Sequence, residues 1–288
     1  MSILTVHHST VYRYRQPVSL GEHRMMFRPQ ESYDLRLIRT KLVITPKPAL
    51  VRWLHDPFDN SVAVVTFEGT TSELRFESTV KLEHFETNLP EYPLEEYAQI
   101  YPFRYSDEDF PNLACALARH YPGESVSEWA LQFLDASDTT PTMKILRAMT
   151  RGIREQFAYT RRIEKGVQTP EETLQSRRGS CRDFAVLMME AASSLGVAAR
   201  FVSGYIFVPD SSGLAGGGAT HAWMQAYLPG AGWIDFCPTN SIIGNRNLIR
   251  VAVAWDPYHV LPLWGTYTGS PAAFLGMDVT VKVTEAAG

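Results

Sequence analysis

The stretch GSCRDFAVLMMEAASSLG, residues 179–196, places a single cysteine at the start of a predicted helix. From Ala185 onward, apolar residues recur at helical spacing. Ser180 is a favourable N-cap, and Asp183 stands three residues later, at the spacing of a capping box. The pattern therefore predicts a buried helix whose first turn contains Cys181.

The position of Cys181 has a predicted chemical consequence. The N-terminus of a helix favours negative charge, and a thiol placed there ionises more easily. Arg177, Arg178 and Arg182 add positive charge nearby. These features predict a thiol that ionises easily. The local pattern on its own nevertheless favours a cysteine that serves as a small buried hydrophobic residue, and the rest of the chain decides between the two.

The composition indicates a water-soluble globular protein of one or two domains. The chain has 288 residues, of which 45% are hydrophobic and 20% charged, and a net charge of -4. This charge gives no electrostatic case for a nucleic-acid partner. No apolar run is long enough to span a bilayer and the first residues lack the features of a signal peptide, so we expect no membrane partner.

Cysteine usage and the missing metal motifs lead to further expectations. Three cysteines are few and odd in number, which argues against a disulfide scaffold and favours the cytoplasm. The sequence has no CxxC pair, no HExxH motif and no phosphate-binding glycine loop. We therefore expect no metal and no cofactor.

Four segments are predicted along the chain. Residues 1–90 alternate in polarity, which is typical of strands in an antiparallel, sandwich-like domain. The proline-rich residues 91–110 are predicted to be a linker. Residues 111–250 contain helices and then three strands of one sheet, and residues 251–288 are expected to return as strands to the first domain.

A histidine and an acidic residue are predicted to lie near the cysteine. His221 begins the strand HAWMQAYL, and the next strand, GWIDFC, contains Asp235. A cysteine, a histidine and an acid on adjacent elements form a nucleophilic triad in its general form.

These motifs together resemble the bacterial transglutaminase-like family. The likeness rests on GSCRDFA, HAW and GWIDFCPTN, and it extends to the N-terminal β segment and so to nearly the whole chain. It implies an α+β fold, in which an N-terminal antiparallel β-sandwich-like domain precedes a papain-like transglutaminase core with the cysteine helix packed on an antiparallel sheet. It also implies that Cys181 is the nucleophile and His221 the general base.

The third position departs from the family pattern. Where the family has an aspartate, this chain has Cys237, and Asp235 stands two residues earlier. Residues two apart on a strand share a face and are separated by roughly 6.5–7 Å. Either Asp235 serves as the third catalytic residue or the site functions as a Cys–His dyad.

The resemblance implies thiol-dependent acyl transfer on amide bonds. The favoured reaction is hydrolysis of a peptide or isopeptide bond in a peptide or protein substrate, and transfer to an amine is the other outcome. A non-catalytic peptide-binding or scaffold module is the alternative, and redox regulation through Cys237 is a third. The glycine-rich residues 213–218, just before His221, are interpreted as a mobile lid or as a plain solvent loop.

Overall fold

The two ends of the chain form one antiparallel sheet of seven strands, and the middle contributes helices and a five-stranded sheet. The predicted α+β fold class is confirmed. The computed structural model describes residues 1–86, 91–136, 139–162, 166–209 and 212–286.

The N-terminal region contains long antiparallel strands. The side chains of Leu74, Phe76, Val80 and Leu82 are all buried, as their alternation in the sequence predicts. The sheet order in this region is β2-β5-β1-β4-β3. These strands are β1 (Ser2–Met25), β2 (Leu35–Thr45), β3 (Leu50–His55), β4 (Ser61–Thr66) and β5 (Thr70–His84).

The middle of the chain is helical, with two-residue strands before and between the helices. In chain order these elements are β6 (Ile100–Tyr101), α1 (Phe110–Leu117), α2 (Glu124–Leu131), β7 (Thr140–Pro141), α3 (Thr142–Gln156), β8 (Ala158–Tyr159), α4 (Pro170–Ser176), β9 (Arg178–Gly179) and α5 (Cys181–Ser194). Every residue from Asp183 to Ala192 is buried, so α5 is the central helix of the core.

The second sheet lies against α5. Its strands are β10 (Ala199–Ile206), β11 (His221–Leu228), β12 (Gly232–Cys237), β13 (Ile242–Ile243) and β14 (Leu248–Ala254). They are antiparallel in the order β13-β12-β11-β10-β14. The predicted strands that contain His221 and Asp235 are therefore neighbours.

The last two strands, β15 (Leu263–Thr268) and β16 (Phe274–Glu285), pair with β1. The expected domain boundary at residue 250 falls within β14, and the one at residue 90 lies outside the described residues.

One hydrophobic cluster joins the two sheets. It contains Leu4, Val6 and Val281 from the first sheet together with residues of α5 and of the second sheet. A buried hydrogen bond of 2.9 Å also links His8 Nδ1 on β1 to the Tyr205 hydroxyl on β10. The N-terminal sheet therefore packs directly on the part of the chain that contains Cys181 and His221.

Candidate functional site

Helix α5 begins with a firmly anchored first turn. Asp183 Oδ2 accepts hydrogen bonds from the backbone N–H and the hydroxyl of Ser180, both at 2.8 Å. Its other oxygen, Oδ1, accepts from the Arg162 guanidinium and from the Gln168 backbone N–H, both at 2.7 Å. The predicted capping role of Asp183 is confirmed, and it fixes the position of Cys181 at the helix start.

The Cys181 thiol is enclosed beside the second sheet. Burial raises the pKa of this thiol above its ordinary value. The backbone N–H of Ala222, the residue after His221, donates to the sulfur and lowers the pKa, and so do the charge and backbone N–H of Arg182, but the net shift stays upward. The expectation of an easily ionised thiol is wrong for this conformation, because desolvation outweighs the helix dipole and the nearby charge.

Two of the three arginines named in the sequence are exposed. Arg177 stacks on the Phe157 ring, 4.8 Å from its centroid, and donates to Gln156 at 3.1 Å. Arg178 is also exposed. Water screens exposed charges, so both have little effect on a buried sulfur.

His221 is the first residue of β11 and only 1% of it is exposed. Its Nε2 lies 3.2 Å from the Cys237 sulfur. Its Nδ1 has no hydrogen-bond partner among the residues that the structure describes. Burial lowers the pKa of His221 to about 3, so the imidazole is neutral at physiological pH.

The strand register separates the two candidates for the third position. Asp235 lies opposite Gln225 on β11, and its Oδ1 accepts a hydrogen bond of 2.5 Å from the Trp223 indole N–H. The Trp223 ring in turn stacks on His221, with ring centroids 6.0 Å apart. Asp235 is therefore linked to the histidine only indirectly, by way of Trp223, whereas Cys237 contacts the histidine directly.

The glycine-rich loop covers His221. Gly216 has φ = +94°, and a Cβ atom there would lie 2.5 Å from His221 Nδ1, so the backbone passes directly over the ring. The side-chain amide of Asn240 holds the loop by two hydrogen bonds to the Ala215 backbone, at 2.8 and 3.0 Å. Gly218 O accepts a further hydrogen bond of 3.1 Å from the backbone N–H of Val281 on β16.

Tyr159 lies next to the start of α5. Strands β8 and β9 form a short parallel ladder that pairs Tyr159 with Gly179, two residues before Cys181. Burial and the nearby Cys181 raise the pKa of Tyr159 to about 12. The tyrosine therefore contributes a neutral, half-buried phenol to the surroundings of the thiol.

Sequence reasoning gave no role to Asn240 or to the backbone of Gly216. Asn240 is the last residue of the quoted motif GWIDFCPTN, so the motif contained the signal, but the partner of its side chain depends on the folded loop. Within the described part of the chain, no group of three or more His, Cys, Asp or Glu residues is placed to hold a metal ion. No described helix is long and apolar enough to cross a membrane.

Comparison with protein families gives two matches along the chain. Residues 4–83 match the bacterial transglutaminase-like N-terminal region, and residues 130–238 match the transglutaminase-like superfamily. The second match includes Cys181, His221, Asp235 and Cys237.

Similar proteins are found over nearly the full length of the chain. An uncharacterized protein of Mycobacterium leprae is 26% identical, with 99% of each chain covered. One of Mycobacterium tuberculosis is 28% identical, with 96% of this chain and 91% of the relative covered. Among solved structures, "a Putative Cysteine Protease from Cytophaga hutchinsonii" aligns with a TM-score of 0.73 at 16% identity and covers 100% of this chain and 91% of its own. That likeness shows a shared fold.

Proposed function

We propose that this chain, which belongs to the bacterial transglutaminase-like family, is a thiol-dependent hydrolase or acyltransferase acting on amide bonds. The observation that carries the proposal is the contact between the start of α5 and the start of β11. There the Cys181 sulfur accepts the backbone N–H of Ala222, the residue directly after His221. A thiol and an imidazole on adjoining elements are the two groups that acyl transfer requires.

The proposed reaction begins with proton transfer from Cys181 to His221. The proton acceptor is Nδ1, because Nε2 is occupied by Cys237. The thiolate then attacks the carbonyl carbon, and the resulting oxyanion is stabilised by backbone N–H groups, including that of Cys181 at the helix N-terminus. As the intermediate collapses, the amine leaves with the proton from the imidazolium, and a thioester remains on Cys181.

The second half of the reaction consumes the thioester. We favour water as the acceptor, with His221 Nδ1 again accepting a proton, so that the products are a carboxylic acid and the regenerated thiol. The substrate is then a peptide or protein with a peptide or isopeptide bond. With a primary amine as acceptor, the same steps give a new amide, which is transglutamination.

A specific observation supports the second candidate, a non-catalytic module that binds peptides. Cys181 and His221 are both buried, and His221 Nδ1 makes no hydrogen bond to the thiol. A protein that never moves the loop over His221 would keep this uncoupled arrangement. Catalysis therefore requires a conformation in which the glycine-rich loop has moved.

The deciding experiment is detection of the thioester by intact-mass spectrometry. The Cys115→Ala protein, which lacks the exposed third thiol, is incubated with a library of peptides that contain amide and isopeptide bonds. We expect a mass increase equal to the acyl part of the donor, located on Cys181 by peptide mapping and absent from Cys115→Ala/Cys181→Ala. If peptides bind and no adduct forms with any donor, including activated thioesters, the binding-module candidate replaces the enzyme.

A further inference from the structure

We propose that Cys237 is a positioning residue, whose sulfur accepts the Nε2–H of His221 and so keeps Nδ1 unprotonated. The inference rests on the proposed function for the role of Nδ1 as a base. The tautomer itself is a property of the resting protein and is measurable without a substrate.

The contact that carries the inference is short and enclosed. Nε2 and the Cys237 sulfur are 3.2 Å apart, and the exposed fractions of His221 and Cys237 are 1% and 0%. In this conformation the pair is shielded from solvent. The partner of Nε2 in this structure is Cys237, whereas Asp235 lies opposite Gln225 and its Oδ1 accepts from Trp223.

The groups around Cys237 donate hydrogen bonds to its sulfur. The side-chain amide of Asn240 donates to the sulfur at 3.8 Å. The backbone N–H groups of Asn240 and Thr239 also donate to it. Because several N–H groups point at this sulfur, it serves as a hydrogen-bond acceptor. The Nε2–H of His221 adds one more donor to the same set.

The opposite edge of the imidazole favours the same tautomer. Within the described part of the chain, Nδ1 is buried without a hydrogen-bond partner, and it faces the backbone of Gly216. In the other tautomer, Nδ1 would bear a buried N–H without an acceptor, which is strongly unfavourable. The proposed tautomer instead leaves the S–H of Cys237 without an acceptor. A thiol is a weak donor, so an unpaired S–H costs less free energy than an unpaired N–H.

Cys237 differs from an aspartate in the charge that it places beside the histidine. Burial raises the pKa of the Cys237 thiol to about 12, so the sulfur is uncharged at physiological pH. A neutral sulfur fixes the tautomer and orientation of the ring but adds little stabilisation to an imidazolium. The site is therefore positioned like a triad and electrostatically resembles a dyad.

The first test is nitrogen NMR of protein labelled with ¹⁵N-histidine, with the His221 signals identified by their loss in His221→Gln. We expect a protonated Nε2 and an unprotonated Nδ1 in the parent. In Cys237→Ala we expect averaged signals from both tautomers, while Cys237→Ser, which retains an acceptor, and Asp235→Asn keep the parent pattern. A protonated Nδ1 in the parent, or an unchanged pattern in Cys237→Ala, overturns the inference.

The second test separates orientation from charge. In a Cys115→Ala background, Cys237→Asp should stabilise the imidazolium of His221 and so the thiolate that forms with it. Alkylation of Cys181 at pH 7 should then accelerate by about tenfold, which is the effect of lowering the pKa of the thiol by one unit. An unchanged rate overturns the electrostatic part of the inference. If the tautomer responds to Cys237→Ala but no donor ever forms a thioester, the positioning role stands and the proposed function fails.

Discussion

At the residue scale, the resting site holds two neutral groups. Burial raises the pKa of Cys181 and lowers that of His221 to about 3, so neither carries a charge at pH 7. An ion pair of thiolate and imidazolium would need partners or water that this closed site does not supply. Under the proposed function, the reactive form therefore arises when the site opens and water or substrate enters.

This state predicts how the reactivity of Cys181 depends on pH. Because the thiol pKa lies above its ordinary value, the thiolate fraction should grow about tenfold per pH unit through the neutral range. We expect the rate of iodoacetamide alkylation in Cys115→Ala to rise accordingly between pH 6 and 9. Mass mapping assigns the label to Cys181, and Cys181→Ala is the control. A rate that stays constant between pH 5 and 8 would indicate a preformed ion pair instead.

Asp235 offers a second prediction at this scale. Asp235→Asn keeps an oxygen that accepts the Trp223 indole N–H, so we expect a small effect on stability and on thioester formation. Asp235→Ala leaves that N–H buried without a partner, which costs about 1–3 kcal/mol of unfolding free energy. Denaturant unfolding and thioester formation are measured on both variants. A loss in Asp235→Asn as large as that in His221→Ala would make Asp235 the third catalytic residue.

At the scale of elements, the loop between β10 and β11 is held in place over the site. Asn240 fixes the Ala215 backbone, and β16 fixes Gly218. This arrangement fits the lid interpretation better than that of a free solvent loop, because three hydrogen bonds close the loop over His221. Opening requires that these bonds break.

Two glycines of this loop form a matched pair for a test. Gly216 and Gly213 both have positive φ, so alanine strains the backbone at each. A Cβ at position 216 would also meet His221 Nδ1 at 2.5 Å, whereas one at position 213 has no neighbour within 4 Å among the described residues. We expect Gly216→Ala to displace the loop and to increase alkylation of Cys181, with a much smaller effect in Gly213→Ala. Equal effects would show that the loop does not limit access to the site.

The sequence predicted the elements better than the state of the site. The capping pair Ser180 and Asp183 and the strand alternation are local patterns, and the structure contains both. The pKa of Cys181 depends instead on how completely neighbouring strands and loops exclude water, which local residues do not encode. The contact between Cys237 and His221 depends on the register of β11 and β12, which the sequence alone does not give. The position of Cys237 in the motif, where the family has an aspartate, indicated that such a contact would form.

At the scale of the whole molecule, a buried histidine joins the two sheets. Burial lowers the pKa of His8 to about 3, whereas an exposed histidine in the unfolded chain titrates near 6.5. Between these values the unfolded state binds more protons than the folded state, so stability falls as the pH falls through this window. His221 adds to the same trend.

We therefore expect Tm to decrease progressively below about pH 6.5. His8→Gln should weaken this dependence, because it removes one group that must be protonated on unfolding. The neighbouring, exposed His7 supplies the control His7→Gln. The measurement is thermal unfolding at several pH values from 7.5 to 4.5. If His8→Gln and the parent show the same slope, acid destabilisation arises elsewhere in the molecule.

The hydrogen bond from Val281 to Gly218 has a consequence for protein synthesis. The ribosome adds Val281 after every residue of the core sheet, including Cys181, His221 and Cys237. A nascent chain with its core already folded therefore has the outer end of the glycine-rich loop unfastened. The loop gains this attachment only when β16 emerges and pairs with β1, the first strand made, so the cover over His221 is completed late in translation.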